Sequence, residues 1–361
     1  GDPELVTETE RYEFRWCGKS KAKREAFTPT DATRVYDADR SVNPESSENI
    51  IIEGENLAVI KLLSKSYREK VKCIYIDPPF GLNRNFSMAE ADGTVKDFDD
   101  IWDSYDDYID WYAKVILDCW QVLDKDGWLY CHNNFISNST VLHKVSNLCK
   151  YYTNISWVRS HPHNNIKNGW GNIVDSIMVF KKGNPYFDVQ YKPLDEKYSN
   201  NSFNHKDEKG NYALGPIVGE KSRIGHMFEY KSYTPTYGWR KKKEDIERLG
   251  KENLIHWGKN KPYKKLYKSD SKGVPVQNIW SDIYPVTRRE GRTYPTQKPI
   301  MLLERIIKSS CPENGIVLDP FAGSGTTLRA AQKLNRKCIT SDIQSELITS
   351  LEIDNEGNDI W

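Results

Sequence analysis

The chain has 361 residues, 38% hydrophobic and 29% charged, with a formal net charge of +1. That length holds one large α/β domain with a smaller inserted or appended one, and no apolar run approaches the roughly 18 residues that span a bilayer, so no membrane partner is expected. Gly1-Asp2-Pro3-Glu4 shows no basic stretch before an apolar core, which argues against a signal peptide; the seven cysteines lack a CxxC pair and fit reduced thiols, a cytoplasmic setting and no structural metal.

In chain order, residues 1–48 are polar and mixed and read as an N-terminal arm, with Trp16-Cys17-Gly18-Lys19 its distinctive cluster. Asn49-Ile50-Ile51-Ile52-Glu53 reads as a short buried strand and Gly54-Glu55-Asn56 as a turn. Leu57, Ile60, Leu62 and Leu63 open a helix that ends at Lys70. The apolar run Val71-Lys72-Cys73-Ile74-Tyr75-Ile76 is a strand leading into Asp77-Pro78-Pro79-Phe80, and a polar loop is expected over residues 81–100. Carboxylates dominate residues 90–126. Residues 108–123 have helical spacing, with Trp111, Tyr112, Val115, Ile116, Cys119 and Trp120 clustering by period. Asp126-Gly127 then turns into a strand at Trp128-Leu129-Tyr130-Cys131-His132, and two more strands are expected at Asn154-Ile155-Ser156-Trp157-Val158 and Ser176-Ile177-Met178-Val179-Phe180.

From about residue 183 to 282 Lys, Tyr, Trp, Asn and Gly dominate, and cations outnumber carboxylates over 221–268. With weak apolar periodicity, the segment reads as an insertion built for surface contact and not as a second core. A helix follows over residues 299–308, then the strand Gly315-Ile316-Val317-Leu318, a glycine-rich turn, a helix over 326–334 and a last strand at Lys337-Cys338-Ile339-Thr340 ending at Asp342. Short strands alternating with helices predict a Rossmann-like, doubly wound, mostly parallel α/β sheet. The expected divisions are 1–48, 49–183, 184–282 and 283–361.

Two motifs carry chemistry. Asp319-Pro320-Phe321-Ala322-Gly323-Ser324-Gly325-Thr326-Thr327 follows a strand, and an acid, Asp342, closes the next one. This is the layout of a nucleoside-binding βαβ unit, with Asp342 placed for ribose hydroxyls and Gly323 and Gly325 permitting close backbone approach. The third glycine of a dinucleotide fingerprint is missing, and Asp319 would repel a phosphate while suiting an ammonium, which favours a sulfonium nucleoside over NAD or FAD. In Asp77-Pro78-Pro79-Phe80, the carboxylate and a peptide oxygen at a stiff corner can accept both N–H bonds of an aromatic amine and aim its lone pair, while Phe80 stacks on the ring. No Pro-Cys pair offers the thiol that attack through a ring carbon requires. His161-Pro162-His163-Asn164-Asn165 lacks a third ligand at metal-binding spacing and reads as a loop at the mouth of the site.

These two motifs in this order, with Pro295-Thr296-Gln297-Lys298-Pro299 between them, resemble the β class of DNA amino-methyltransferases, in which the catalytic corner precedes the cofactor turn. Trp16-Cys17-Gly18-Lys19 and Ile52-Glu53-Gly54-Glu55-Asn56-Leu57 look like adenine-N6-specific enzymes, including modification subunits of type III restriction systems. The resemblance implies a permuted seven-stranded methyltransferase sheet, with 49–183 as its catalytic half, 184–282 as the target-recognition insertion and 283–361 as the cofactor-binding half. It implies S-adenosylmethionine as cofactor, with S-adenosylhomocysteine as product, held by Glu55, Asn56, Asp77, Thr296, Lys298, Asp319, Phe321, Ala322, Gly323, Ser324, Gly325, Thr326 and Asp342. The catalytic residues are then Asp77, Pro78, Pro79 and Phe80, acting on an adenine flipped out of double-stranded DNA.

The strand at Ile50–Ile52 is expected to lie beside the last one, completing the sheet from the other end of the chain. For the DNA face, Trp239, Arg240, Lys241, Lys242, Lys243, Trp257, Lys264, Lys265, Arg288, Arg289 and Arg292 interleave cations with aromatics that can hold phosphates and stack on bases, as can Tyr263 and Tyr267. The alternatives are cytosine-N4 methylation, an RNA substrate and a catalytically silent DNA-binding partner. The resemblance also admits a cognate restriction endonuclease and a homodimer as partners.

Overall fold

A computed structural model of the chain describes residues 33–41, 45–89, 95–160, 169–286 and 297–343. The chain divides into two compact units, one of residues 1–189 with 277–361 and one of residues 190–276.

The larger unit is built from strands β1 (Ile50–Glu53), β2 (Val71–Ile76), β3 (Arg84–Ala89), β4 (Val95–Asp100), β5 (Leu123–Asn133), β6 (Tyr151–Val158) and β7 (Val174–Lys182), with helices α1 (Asn56–Ser66), α2 (Tyr105–Val122) and α3 (Phe135–Val145). The smaller unit contributes β8 (Tyr191–Lys192), α4 (Glu196–Ser202), β9 (His205–Asp207), β10 (Gly210–Pro216), α5 (Lys243–Lys251), β11 (Ile255–Trp257), β12 (Pro262–Tyr267) and β13 (Val274–Pro275). The chain then returns to the larger unit with β14 (Ile279–Trp280), α6 (Ile300–Ser310), β15 (Ile316–Asp319), α7 (Thr326–Lys333) and β16 (Lys337–Asp342).

The central sheet runs β1-β16-β15-β2-β5-β7-β6-β14. Every pairing in it is parallel except those that β7 makes with β5 and β6. It is a Rossmann-like doubly wound sheet, with eight strands where seven were expected; the extra one is the two-residue β14 laid against β6. β1 pairs with β16 in parallel, Glu53 opposite Asp342, so the sheet is closed from the other chain end as expected.

β2 is buried on both faces, as a central parallel strand must be. Ile74 and Ile76 join Leu129, Cys131, Met178, Phe180, Leu318 and Ile339 in the core beneath α1, α2 and α3. On the other face Cys73 accepts a hydrogen bond from Ser310 of α6, 3.2 Å away. The helices start where the sequence supplies caps. Glu55 caps α1 through the amide of Ala58, and Ser104 caps α2 through that of Asp107.

Three expectations are corrected. The polar segment after the catalytic-type corner is an antiparallel hairpin of β3 and β4, with Arg84 opposite Asp100; backbone pairing needs no apolar periodicity, so composition hid it. The turn before Trp128 is a bulge within β5: Val71 pairs with Leu123 and Cys73 with Trp128, so residues 124–127 are skipped in the pairing with β2, while Gly127 pairs with Lys182 of β7. The smaller unit does have a core, of Ile217, Val218, Trp239, Ile246, Leu249 and Ile255, with Phe228, Tyr230 and Tyr233 packed on it. Its aromatics arrive from bridges and turns and not from one periodic helix, which is why periodicity missed it.

One buried group opposes stability. Asp118 of α2 is 3% exposed, and neither carboxyl oxygen has a hydrogen-bond partner among the described residues. Burial pushes its carboxyl up to about 7 against the pull of Lys61 and Lys114, with Glu55 adding to the rise. The unfolded chain therefore ionises near pH 4 while the folded chain holds its proton to about pH 7. Stability falls across that window, by up to about 4 kcal/mol, and levels off above it. The Asp118→Asn variant is expected to lose this dependence, so that its melting temperature gains on the parent from pH 4 to pH 8 in scanning calorimetry.

Candidate active site

β2 and β15 are neighbours, Ile74 opposite Leu318, and both run in the same direction. Their C-terminal ends therefore emerge side by side, which is where ligands lie on an open α/β sheet. Asp77 follows β2, and Asp319 closes β15 at the head of the glycine turn.

Interactions around the turn hold its shape. Gly323 and Gly325 have φ of 50° and 73°, left-handed conformations that cost an L side chain strain. The Gly323 amide donates to the Asp342 carboxylate at 2.9 Å, and the Ala322 amide to the Ser341 carbonyl at 2.8 Å. Asp319 is buried. Its oxygens accept from the Phe321 amide at 2.9 Å and from the Thr327 hydroxyl, so its visible work is to brace the turn, where the sequence had suggested a ligand's ammonium. Burial, with the nearby Asp77 and Asp342 carboxylates adding to it, pushes its carboxyl up to about 8 even though the bonds from Thr327 and Phe321 offset part of the rise. Carboxyl groups crowd this edge of the sheet, which disfavours a phosphate and favours a cation.

The loop after β1 reaches the same edge, since the Gly54 amide donates to the Asp342 carbonyl at 2.9 Å. Glu55 spends one carboxylate oxygen on its helix cap. The Asn56 carbonyl oxygen is buried and has no hydrogen-bond partner among the described residues, as befits an acceptor kept for a ligand.

The corner is equally braced. The Tyr108 hydroxyl donates to the Pro79 carbonyl at 2.8 Å, and the Asn134 amide and Ser137 hydroxyl donate to the Phe80 carbonyl at 2.9 and 3.1 Å. The Pro78 carbonyl accepts no bond from a described residue. Beyond the corner, buried Asp100 accepts from the amides of Gly81 and Leu82, at 3.0 and 2.7 Å, and from the Trp102 indole at 2.8 Å. Lys298 ties the two motifs together. Its ammonium pairs with Asp77 Oδ2 and lies 5.8 Å from the centre of the Phe80 ring, while its carbonyl accepts from the Thr326 hydroxyl at 3.3 Å. Thr326 in turn touches the Ser324 hydroxyl at 3.0 Å. The other oxygen of Asp77, Oδ1, is buried without a hydrogen-bond partner among the described residues. Phe321 sits edge-on to Trp111, ring centres 6.0 Å apart.

The structure also brings in residues that were read only as strand positions. His132, at the end of β5, is fully buried, with Nδ1 2.7 Å from the Tyr75 hydroxyl and 3.7 Å from Asp77 Oδ1. On its other side Nε2 lies 3.4 Å from Asp175 of β7. Burial raises the Asp175 carboxyl, but its hydrogen bond with His132 and the charges of Arg159 and Lys298 outweigh burial and hold it below the usual range. The available signal was a polar pair, His132-Asn133, ending an otherwise apolar run.

Among the sites expected to face DNA, two are buried in the smaller unit and a third, Arg240, is half-buried and engaged within it. Trp239 is 0% exposed, stacked on Phe228 at 5.7 Å, and donates to the Phe228 carbonyl at 2.9 Å, so it cannot stack on a base. Lys265 is 8% exposed and pairs with Asp207 at 2.7 Å, an oxygen that the buried Tyr267 hydroxyl also reaches. Arg240 donates to the Val218 carbonyl and pairs with Glu220 at 3.0 Å. Lys241, Lys242 and Lys243 are exposed, Lys264 and Tyr263 are half-buried, and Trp257 is 43% exposed against Tyr230. Thr296, Arg288, Arg289, Arg292, the cluster at 16–19 and the histidines at 161 and 163 lie outside the described residues. No helix among the described residues is long and apolar enough to cross a membrane.

Comparison with known proteins adds the family. The model of a family described as DNA methylase, N6_N4_Mtase, matches residues 71–352. The Mod subunit of the type III restriction-modification enzyme StyLTI from Salmonella typhimurium is 25% identical over 91% of this chain, and the chain spans 57% of that subunit's length. The type II methyltransferase M.EcaI from Enterobacter cloacae is 27% identical over 81% of the chain, which spans 66% of it. The DNA adenine methyltransferase YhdJ from Escherichia coli is 29% identical over 82% of the chain, covering 79% of YhdJ. Because the family match takes in the Asp77 corner, Lys298, the glycine turn and the strands that carry them, the chain belongs to the N6_N4_Mtase family of DNA methylases.

Proposed function

We propose that this chain transfers a methyl group from S-adenosylmethionine to the N6 amine of an adenine swung out of double-stranded DNA. The observation that carries the reading is the adjacency of β2 and β15, with Lys298 touching both the Asp77 corner and the glycine turn. The crowded carboxyls at the sheet edge, the two left-handed glycines and the unpartnered Asn56 oxygen fit a cationic nucleoside. When bound, that cofactor supplies an electrophilic methyl group on a cationic sulfur.

The protein's part is to make a poor nucleophile attack. An exocyclic amine delocalises its lone pair into the ring. Asp77 Oδ1, free of other hydrogen-bond partners among the described residues, accepts one N–H, and the Pro78 carbonyl accepts the other. Both acceptors return electron density to nitrogen and point its lone pair away from the ring plane. Lys298 fixes the carboxylate by holding Oδ2. Phe80 stacks on the base, and Pro79 stiffens the corner. Asp342 takes the ribose hydroxyls, Phe321 and Ala322 line the nucleoside, and Thr296 joins Lys298 on the cofactor side. Asp at position 77 and the adenine-specific name of the Escherichia coli relative favour adenine over cytosine-N4. The exposed lysines of the smaller unit, with Trp257 and Lys264, form the proposed DNA contact. A cognate restriction endonuclease is the protein partner that the restriction-modification relatives suggest.

Three outcomes test this. Asp77→Ala is expected to abolish single-turnover transfer with cofactor affinity retained; normal turnover would remove Asp77 from the chemistry. Asp342→Ala is expected to weaken cofactor binding by about 1–3 kcal/mol in calorimetry. Replacing Lys241, Lys242 and Lys243 by alanine together is expected to flatten the salt dependence of DNA binding, by up to about three phosphate contacts. Mapping modified bases after expression in a methylation-deficient bacterium identifies the base and its sequence context.

A further inference from the structure

We propose that His132 is a positioning and proton-relay residue: it braces Asp77 from behind and, through Asp77, takes the proton that the target amine sheds on methylation. The inference rests on the methyl-transfer reading above and extends it to a group which that chemistry does not otherwise use.

The transfer leaves a proton to place. The new N–C bond forms as the S–C bond breaks, whose electron pair stays on sulfur as a neutral thioether. The amine nitrogen becomes cationic and carries one hydrogen too many. Asp77 Oδ1 already faces one of those hydrogens, but a carboxylate left protonated there could not accept from the next substrate amine.

Tyr75, His132, Trp157 and Asp175 lie together on the α6 face of the sheet, on β2, β5, β6 and β7. The His132 ring is 5.8 Å from the Phe80 ring and 5.6 Å from that of Trp157, measured between centres, and is fully buried. Burial, then the charges of Asp77, Asp319 and Asp175, hold the Tyr75 hydroxyl well above its usual range, so it keeps its proton. The Asp175 carboxylate can only accept, so it takes the hydrogen of Nε2, 3.4 Å away, and the Tyr75 hydroxyl, 2.7 Å from Nδ1, donates to that bare nitrogen. The ring is then neutral, with its hydrogen on Nε2 toward Asp175, and its basic nitrogen is the one near Asp77. The gap of 3.7 Å to Asp77 Oδ1 is longer than a hydrogen bond; such contacts commonly tighten only when substrate is bound.

The proton passes from the amine to Asp77 Oδ1 and on to His132 Nδ1. The Tyr75 hydroxyl turns its hydrogen aside and accepts instead. The resulting imidazolium lies between Asp77 and Asp175, and after product release it returns the proton to Asp77, whose side chain is 16% exposed, and from there to solvent. The charged and titratable groups around it are Tyr75 of β2, Asp77 just past β2, Asp175 of β7, Arg159 just past β6 and Lys298 ahead of α6, with Asp319 of β15 acting on Tyr75. Arg159 anchors Asp175 at 2.7 Å, on the oxygen that His132 does not use.

The test pairs an activity-independent readout with a rate. Histidine-selective 15N NMR of the free protein, with His132 assigned from the His132→Gln spectrum, is expected to show an Nε2–H tautomer at neutral pH. In the wild type, single-turnover methylation should decline on the acid side as His132 becomes protonated. Asp175→Asn removes the charge that stabilises the imidazolium, so it should move both the imidazole titration and the acid limb of the rate to lower pH. His132→Gln should lower the rate at neutral pH by about a hundredfold or more, abolish the acid limb and leave cofactor affinity unchanged in calorimetry. An Nδ1–H tautomer, or an acid limb that stays in place in Asp175→Asn, overturns the relay, and the latter holds even if His132→Gln fails to fold. A wild-type chain that methylates no DNA refutes the methyl-transfer reading itself, and the relay with it.

Discussion

The parallel pairing of β2 with β15 is the constraint on which the rest depends. Two segments 244 residues apart in sequence, at Ile74 and Leu318, meet in register and end at one edge. A slip of one residue would turn each side chain to the opposite face. Burial of Ile74 and Leu318 against the same helices, with Cys73 turned to α6, holds that register. From it follow the nearness of Asp77 to Asp319, the reach of Lys298 to both motifs, and the shared edge that Asp342 and the loop after β1 complete.

Electrostatics then shape what this edge can hold. The carboxylates of Asp77 and Asp342 add to the cost of ionising buried Asp319. Lys298 offsets part of that charge at Asp77, and the Asp319 carboxyl is held by the turn it braces. The same crowding that makes the edge hospitable to a cation makes it a poor phosphate site, so the turn works differently from a dinucleotide loop despite sharing its strand-turn-helix layout. Behind it, Tyr75, His132 and Asp175 form a second polar layer inside the sheet, where burial makes every unpaired group costly and every paired one well oriented.

The smaller unit shows how composition misleads when packing is irregular. Trp239, Arg240 and Lys265 belong to a segment rich in cations and aromatics, which suggested a continuous binding surface. Packing divides that segment instead. Trp239 fills the centre of the small core, Lys265 is drawn down to Asp207, and Arg240 closes on Val218 and Glu220. The lysines at 241–243, adjacent in sequence to Arg240, are left exposed.

By itself the sequence determined the parallel α/β class and the order of the two motifs, and the permuted order that its family resemblance implied placed the first strand beside the last. The first two follow from local apolar runs and from Gly and Pro at fixed offsets, which act over a few residues. The tertiary structure alone decided that Lys298 spans both motifs, that His132 and Asp175 stand behind Asp77, that residues 84–100 pair as a hairpin and that Trp239 is core. Each of those is a contact between residues far apart in the chain or a choice of which face is buried. Such choices depend on how strands and helices pack against one another, and no spacing within a single segment records them.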